Sequence, residues 1–357
     1  MKRKVPKTKQ KKETKKTKHI LKLIIITILV TLFLEFCYVI YKSIRESVTA
    51  EGQEFNEKII NSENGYFVVG SSNFKYSTQN KKTGKYEKPR LAIYNEKDKL
   101  EKEFKYNDGY NGLFSDAIEI ENGYLAVGFY QKTRNAYNDN SMEALIVSYD
   151  QDGKIIWEKS YAKLTNTKFK KILATEGGYI VVGSSNYQST EAGEEEAGAL
   201  ILKYDENGNR LWEEYYGDNK TGSYNDVIEV EDGYIAVGSK DGSTGLIAKY
   251  DKNGLFKWKK EFENVGANGL SKIIKQDDKF VVIGSFKKST YVQNRTNTAL
   301  IALLNTTGDL IKYVEFGEDQ SVSQWNDFVI YNNTIYAVGV SSYINEERSK
   351  EEVTYYN

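Results

Sequence analysis

A charged residue stands at the same position of six repeated segments of the sequence. Each segment has two apolar runs around a polar pair, ends in glycine and carries the charge twelve residues before that glycine. The charges alternate in sign along the chain: Lys58, Asp116, Lys171, Asp226, Lys272 and Asp327. The residue two before each glycine alternates between Val and Ala in the same phase. Because only an even ring of alternating charges places opposite charges side by side throughout, the pattern predicts six repeats around one axis.

Two interpretations of this ring are open. It is either a belt of ion pairs that joins neighbouring repeats, or the lining of a pocket for a polar or zwitterionic ligand. For the function of the protein, the alternative is a glycan-active enzyme, since a pair of carboxylates about 5–10 Å apart suffices for a glycosidase. A pair of buried carboxylates about 5–10 Å apart in the channel mouth would favour the enzyme, whereas a mouth with all acids paired with lysine would favour binding.

Most other chemistry is excluded by composition. The only histidine is His19 and the only cysteine is Cys37, so no residue after position 41 can serve as a histidine base or a thiol nucleophile. The turns at 150–153, 205–208 and 251–254 carry oxygen ligands, but the distal glutamate of a calcium loop is missing. We therefore expect tight hairpin turns there, no metal, no cofactor and no enzymatic activity.

The repeats that position these residues are built from strands. The final glycines are separated by 58, 55, 55, 46 and 55 residues, and each repeat shows four short runs rich in Val, Ile and Tyr. Asn-Gly and Asp-Gly pairs separate the runs, as in hairpins. The sequence thus predicts an all-β, six-bladed β-propeller of four-stranded antiparallel blades.

The segments GGYIVVGSS and ALILKYDENGNRLW resemble the β-propeller repeat proteins of bacterial cell surfaces. The spacing Asp-x-x-Gly-x-x-x-Trp, at 150–157, 205–212 and 251–258, also resembles the tryptophan-docking turn of quinoprotein propellers. That turn is one residue shorter here, and quinoproteins have eight blades. The tryptophans are expected to pack between blades. The resemblance implies binding or scaffolding at a surface, and it carries over no catalytic residue.

The chain divides into three parts by charge and hydropathy. Residues 1–19 form a basic tail of net charge +9, residues 20–41 form an apolar segment, and residues 42–357 carry a net charge of −9. Twenty-two residues of helix span about 33 Å, enough to cross a bilayer. The basic tail predicts a cytoplasmic N-terminus, one transmembrane helix and an exported propeller. Cleavage after Ala50 is the alternative.

The sixth repeat stops after its third strand. Its match to the Tyr-Asp end of strand 3 is Tyr356-Asn357, the last two residues. An open strand edge invites aggregation, so we expect residues 42–50 to supply the missing fourth strand. The chain would then leave the membrane beside the tight turns, and the long loops between strands 2 and 3 would face outward. Those loops, at 71–90, 129–143, 184–198 and 285–298, are a second candidate binding surface.

The sequence therefore predicts a single-pass cell-membrane protein with an extracellular propeller. The expected function is non-catalytic binding or scaffolding for an extracellular protein or a cell-wall glycan. No nucleic-acid partner is expected, because the basic tail is explained by membrane topology.

Overall fold

A computed structural model shows an all-β protein. No helix occurs among the residues that it describes, and they form 24 strands. The described residues are 53–62, 64–74, 87–132, 142–162, 166–185, 198–216, 222–241, 244–263, 265–287, 297–317, 321–331, 334–343, 351–352 and 355–356.

The strands group in fours, in the order of the sequence. The first three blades comprise β1 (Gln53–Ser62), β2 (Gly65–Phe74), β3 (Lys88–Asn95) and β4 (Leu100–Lys105); β5 (Gly112–Ile120), β6 (Gly123–Gln131), β7 (Met142–Asp150) and β8 (Ile155–Tyr161); and β9 (Lys168–Thr175), β10 (Gly178–Ser185), β11 (Gly198–Tyr204) and β12 (Arg210–Tyr216). The fourth and fifth comprise β13 (Ser223–Val230), β14 (Gly233–Ser239), β15 (Gly245–Asp251) and β16 (Phe256–Phe262); and β17 (Val265–Gln276), β18 (Lys279–Lys287), β19 (Asn297–Asn305) and β20 (Leu310–Phe316). The sixth comprises β21 (Ser321–Tyr331), β22 (Thr334–Tyr343), β23 (Glu351–Glu352) and β24 (Tyr355–Tyr356).

Each of blades 1 to 5 is an antiparallel meander in which consecutive strands pair, and in blade 6 β21 pairs with β22 in the same way. A single parallel contact, between Asn297 and Val322, links blade 5 to blade 6. The predicted six-bladed propeller is therefore confirmed. In blade 6, β23 and β24 both pair with β22, in the place of a third strand. The fourth strand predicted from residues 42–50 lies outside the described residues.

The first strand of every blade carries a β-bulge at the residue that directly follows the partner of the repeat glycine. In blade 3, Phe169 pairs with Gly183 and Lys171 with Val182, so Lys170 has no partner in the ladder. The bulge brings the carbonyl oxygen of Lys168 so close to Gly183 that a Cβ there would overlap it. This steric limit explains why five repeats keep glycine at a position that needs no unusual φ. The same overlap occurs at Gly70, Gly128, Gly238 and Gly339.

Apolar cores lie between blades. Five such cores are found among the described residues, one at each junction from blades 1 and 2 to blades 5 and 6. On the outer rim, Trp157 of blade 2 packs against the turn glycine of blade 3, where a Cβ on Gly208 would lie 2.7 Å from the indole. Trp212 and Trp258 repeat the contact at the next two junctions, which confirms the predicted packing of the tryptophans between blades.

The predicted membrane segment lies outside the described residues. No helix long and apolar enough to cross a membrane occurs among the described residues, and residues 20–41 are not among them. The central parts of the four long loops also lie outside the described residues.

Candidate binding site at the channel

The first strands of the blades line the channel, and their side chains meet across it. First strands of successive blades contact one another along most of the ring. Lys58 of blade 1 acts electrostatically on Asp226 of blade 4, the opposite blade. Glu57 of blade 1 acts in the same way on Lys170 of blade 3. Side chains from non-adjacent blades can interact electrostatically only if they point toward the central axis of the propeller.

Asp116 is the centre of the charge ring. Its Oδ1 accepts a hydrogen bond from Lys58 Nζ at 2.8 Å, and its Oδ2 lies 3.2 Å from Lys171 Nζ. The same Oδ2 also accepts the backbone N–H of Ile172 in blade 3, at 3.1 Å. The carboxylate is 1% exposed, so it joins three blades rather than facing the channel.

Asp226 repeats part of this arrangement. Its Oδ2 accepts the backbone N–H of Ile273 in blade 5 at 3.0 Å, and the side chain is buried. Burial raises the pKa of Asp226, and the positive charge of Lys171 opposes that rise without cancelling it. Lys171 is held between both aspartates: burial lowers its pKa, but Asp116 and Asp226 together raise the pKa above its ordinary value.

The ring is interrupted in its other half. Lys272 pairs with Asp327, and Asp327 also accepts the backbone N–H of Phe328. The described residues show no ion pair between Asp226 and Lys272 or between Asp327 and Lys58. The six predicted residues thus form one group around Asp116 and one pair around Asp327. The aspartates Asp116 and Asp226 are buried, so the lysines form more of the channel surface than the sequence pattern suggested.

A second layer of polar residues lies beside the ring and was missed from sequence. The Nζ of Lys170 donates to Ser223 Oγ and to Asn225 Oδ1, both at 2.7 Å. Asn225 Nδ2 in turn donates to the carbonyl oxygen of Leu270 at 2.8 Å, which reaches blade 5. Burial, with help from Lys168, lowers the pKa of Lys170 to about 8, and Glu57 opposes the shift. The signal for these residues was the bulge, which a two-residue strand period does not reveal.

The channel surface carries more lysine than acid. Lys58, Lys168, Lys170, Lys171 and Lys272 are partly exposed, and the exposed acids beside them are Glu57 and Asp327. Such a surface can hold a carboxylate or another acidic group through ammonium hydrogen bonds and attraction.

The aspartate turns have a structural role, as predicted. In the turn of blade 3, Asp205 Oδ1 accepts the backbone N–H groups of Asn207 at 2.9 Å and Asn209 at 2.7 Å. Asp150 and Asp251 make the equivalent pairs of bonds in blades 2 and 4. Among the described residues, no group of three or more possible ligands is arranged to hold a metal ion.

Comparison with known proteins identifies the fold alone. No protein-family model matches the sequence, and no curated protein matches it. Among solved structures, the chain is similar to hydrazine synthase from Kuenenia stuttgartiensis, with 10% identity, a TM-score of 0.52 and coverage of 81% of this chain and 76% of that one.

Two further similarities have TM-scores below 0.5. One is to the hemagglutinin-neuraminidase ectodomain of parainfluenza virus 5, with a TM-score of 0.47, 10% identity and coverage of 87% of this chain and 80% of that one. The other is to a GH43 endo-arabinanase from Bacillus licheniformis, with a TM-score of 0.33, 12% identity and coverage of 67% of this chain and 91% of that one. At 10% identity, the similarity to the hydrazine synthase chain concerns the fold alone.

Proposed function

We propose that this protein is a non-catalytic binding module whose propeller recognises acidic groups at the channel. The residues 20–41 would anchor it in the cell membrane, with residues 1–19 in the cytoplasm and the propeller outside. The partner would be a cell-wall glycan or an extracellular protein that carries carboxylates.

One observation carries the proposal: the buried acids at the channel already have partners. Asp116 is bonded to two lysines and a backbone amide, and Asp226 to a backbone amide beside Lys171. A glycosidase needs one carboxylate free to protonate a leaving group and another free to act as base or nucleophile. The partly exposed groups that remain are mostly lysines, which suit recognition of an anion.

A glycan-active enzyme is the second candidate, because of Asp226. Its raised pKa is the property expected of a general acid. The amide of Ile273 and the burial of the side chain argue against that role, because both keep the carboxyl away from a substrate in the channel.

The test is a binding screen with the full chain in detergent. The probes are immobilised neutral glycans, glycans bearing uronic or sialic acid, and acidic peptides. We expect selective binding to acidic probes, weakened about tenfold by Lys170→Gln, which corresponds to the loss of about 1.4 kcal/mol. Lys154→Gln removes the same charge from an exposed tight turn and is expected to leave binding unchanged.

Two results would contradict the proposal. Equal binding of neutral and acidic probes would remove the role of the lysines. Release of sugar from a glycan, abolished by Asp226→Asn, would establish the enzyme instead.

A further inference from the structure

The bulge places one residue of each first strand at the same depth in the channel. These residues directly follow the partner of the repeat glycine in the six blades, in chain order: Glu57, Ser115, Lys170, Asn225, Ser271 and Asn326. Because the blades are arranged around one axis, equivalent positions lie in one layer around it. Lys170 is the only basic residue of this layer, and Glu57 is its only acid.

The amine of Lys170 has two acceptors among the described residues. Its Nζ lies 2.7 Å from Ser223 Oγ and 2.7 Å from Asn225 Oδ1. Asn225 is itself held in place, because its Nδ2 donates to the carbonyl oxygen of Leu270 at 2.8 Å. A neutral amine has two N–H bonds and one lone pair, so the two acceptors use both hydrogens of that form. Its lone pair then points away from them and can attack an electrophile.

Two charged groups act on this amine. Lys168, two residues earlier on the same strand, places its Nζ 4.5 Å from the ring centre of Phe129 and contributes positive charge. Burial and Lys168 together lower the pKa of Lys170 to about 8, and the negative charge of Glu57 opposes the shift. At pH 7.5 about a quarter of the Lys170 amine is therefore neutral, compared with about 0.1% for an ordinary exposed lysine.

The surroundings of Lys170 favour a ligand that carries a carboxylate. Lys58, Lys168 and Lys171 lie within two residues of the bulge positions of blades 1 and 3 and are partly exposed. The ring aspartates near them, Asp116 and Asp226, are buried. A carboxylate in this half of the channel would therefore meet more positive than negative charge at the surface.

We propose that Lys170 is a site of covalent ligand capture, where its amine forms an imine with a small acid that carries an aldehyde or ketone beside its carboxylate. The amine nitrogen bonds to the carbonyl carbon, and the two hydrogens of the neutral amine leave with the carbonyl oxygen as water. No oxidant or reductant is consumed. Glu57, the acid of the same layer, accepts and returns the proton. The preference for an acid rests on the proposed function, whereas the reactivity of the amine does not.

Reductive trapping in the full chain tests this site. The protein in detergent is incubated at pH 7.5 with glyoxylate and sodium cyanoborohydride, which converts an imine to a stable carboxymethyl-amine, and peptide mass mapping locates the modified lysines. We expect Lys170 to react at least tenfold faster than Lys154, which lies in an exposed tight turn. The ratio of the two rates should fall between about pH 8 and pH 10, because Lys154 then also loses its proton.

A neutral aldehyde separates the reactivity of the amine from the attraction of the carboxylate. With propionaldehyde, Lys168→Gln should slow the reaction of Lys170 at least threefold and leave Lys154 unchanged, because the substitution removes the neighbouring positive charge. In the unsubstituted protein, the preference for glyoxylate over propionaldehyde should be at least fivefold larger at Lys170 than at Lys154.

The possible failures are distinguishable. If Lys170 reacts no faster than Lys154, or if Lys168→Gln has no effect, the capture site is overturned while selective binding of acidic probes can still stand. If Lys170 reacts fast but without preference for glyoxylate, the amine is reactive and the proposed ligand class is overturned, together with the attraction of carboxylates on which the proposed function depends.

Discussion

Asp116 and Asp226 link blades by accepting a backbone amide that no strand pairing satisfies. Such a bond is hard to replace, because losing it leaves a buried N–H without a partner and a lysine without its counter-ion. The two residues therefore contribute to the ring as structural joints, and ligand recognition falls to the lysines beside them.

Charge reversal separates this role from ordinary surface charge. We expect Asp226→Lys to lower the free energy of unfolding by about 3 kcal/mol or more, because it places a second cation beside Lys171 in a buried site. Glu158→Lys, an exposed change on the outer strand of blade 2, should cost about 1 kcal/mol or less. Urea denaturation of both variants measures the difference, and equal losses would show that Asp226 is not a joint.

The amine of Lys170 gives the protein a pH dependence of known sign. Its pKa is lowered to about 8 in the folded state, so between about pH 8 and 10.5 the unfolded chain binds more protons at this group than the folded chain does. Stability from Lys170 alone therefore rises with pH across that window. The difference in unfolding free energy between the wild type and Lys170→Met should change by about 1–3 kcal/mol from pH 7.5 to pH 10. A constant difference would mean that Lys170 keeps an ordinary pKa.

At the level of the strand, the bulge and the repeat glycine depend on each other. The bulge turns two consecutive residues, such as Lys170 and Lys171, toward the channel side, and it requires the opposing residue to lack a Cβ. A substitution at the glycine should therefore disturb the channel even though the glycine lies in the second strand.

Two glycines of blade 3 test this dependence. Gly183→Ala is expected to cost about 3 kcal/mol or more, since its Cβ would overlap the carbonyl oxygen of Lys168 and must displace the bulge. Gly177→Ala meets nothing within 4 Å and bears only the strain of its φ of +69°, about 1 kcal/mol. Thermal unfolding ranks the two variants, and a Gly183→Ala protein as stable as Gly177→Ala would refute the steric argument.

The sequence predicts the strands well because the glycine spacing and hairpin turns repeat six times. It also predicts the contact of Lys58 and Lys171 with Asp116, since alternating charges at one register position have few other arrangements. It does not predict Lys170 in the channel, because a bulge shifts the strand period by one residue. Arg90 is visible as a departure from the leucine that blades 2 to 5 have at the same position, but its burial depends on Glu54 and Glu103, which no repeat pattern connects with it.

The orientation of the whole molecule is a prediction that follows from the proposed anchor. If residues 42–50 form the fourth strand of blade 6, the tight-turn face lies toward the bilayer and the long loops point away. On a Cys37→Ser background, single cysteines at Asn135 or Asn186 should react readily with a bulky impermeant reagent on wall-stripped cells. Cysteines at Asn207 or Asn253 should react slowly, and equal rates for both sets would refute the orientation.

The positions of the tryptophans allow individual blade junctions to be followed by fluorescence. The sequence holds four tryptophans, and they belong to four different junctions: Trp157, Trp212, Trp258 and Trp325, from blades 2 and 3 to blades 5 and 6. Replacing any three by phenylalanine would leave an emission spectrum that follows the hydration of one joint. The order in which blades separate during unfolding could thus be determined for these four junctions. The two junctions on either side of blade 1 contain no tryptophan and would give no signal.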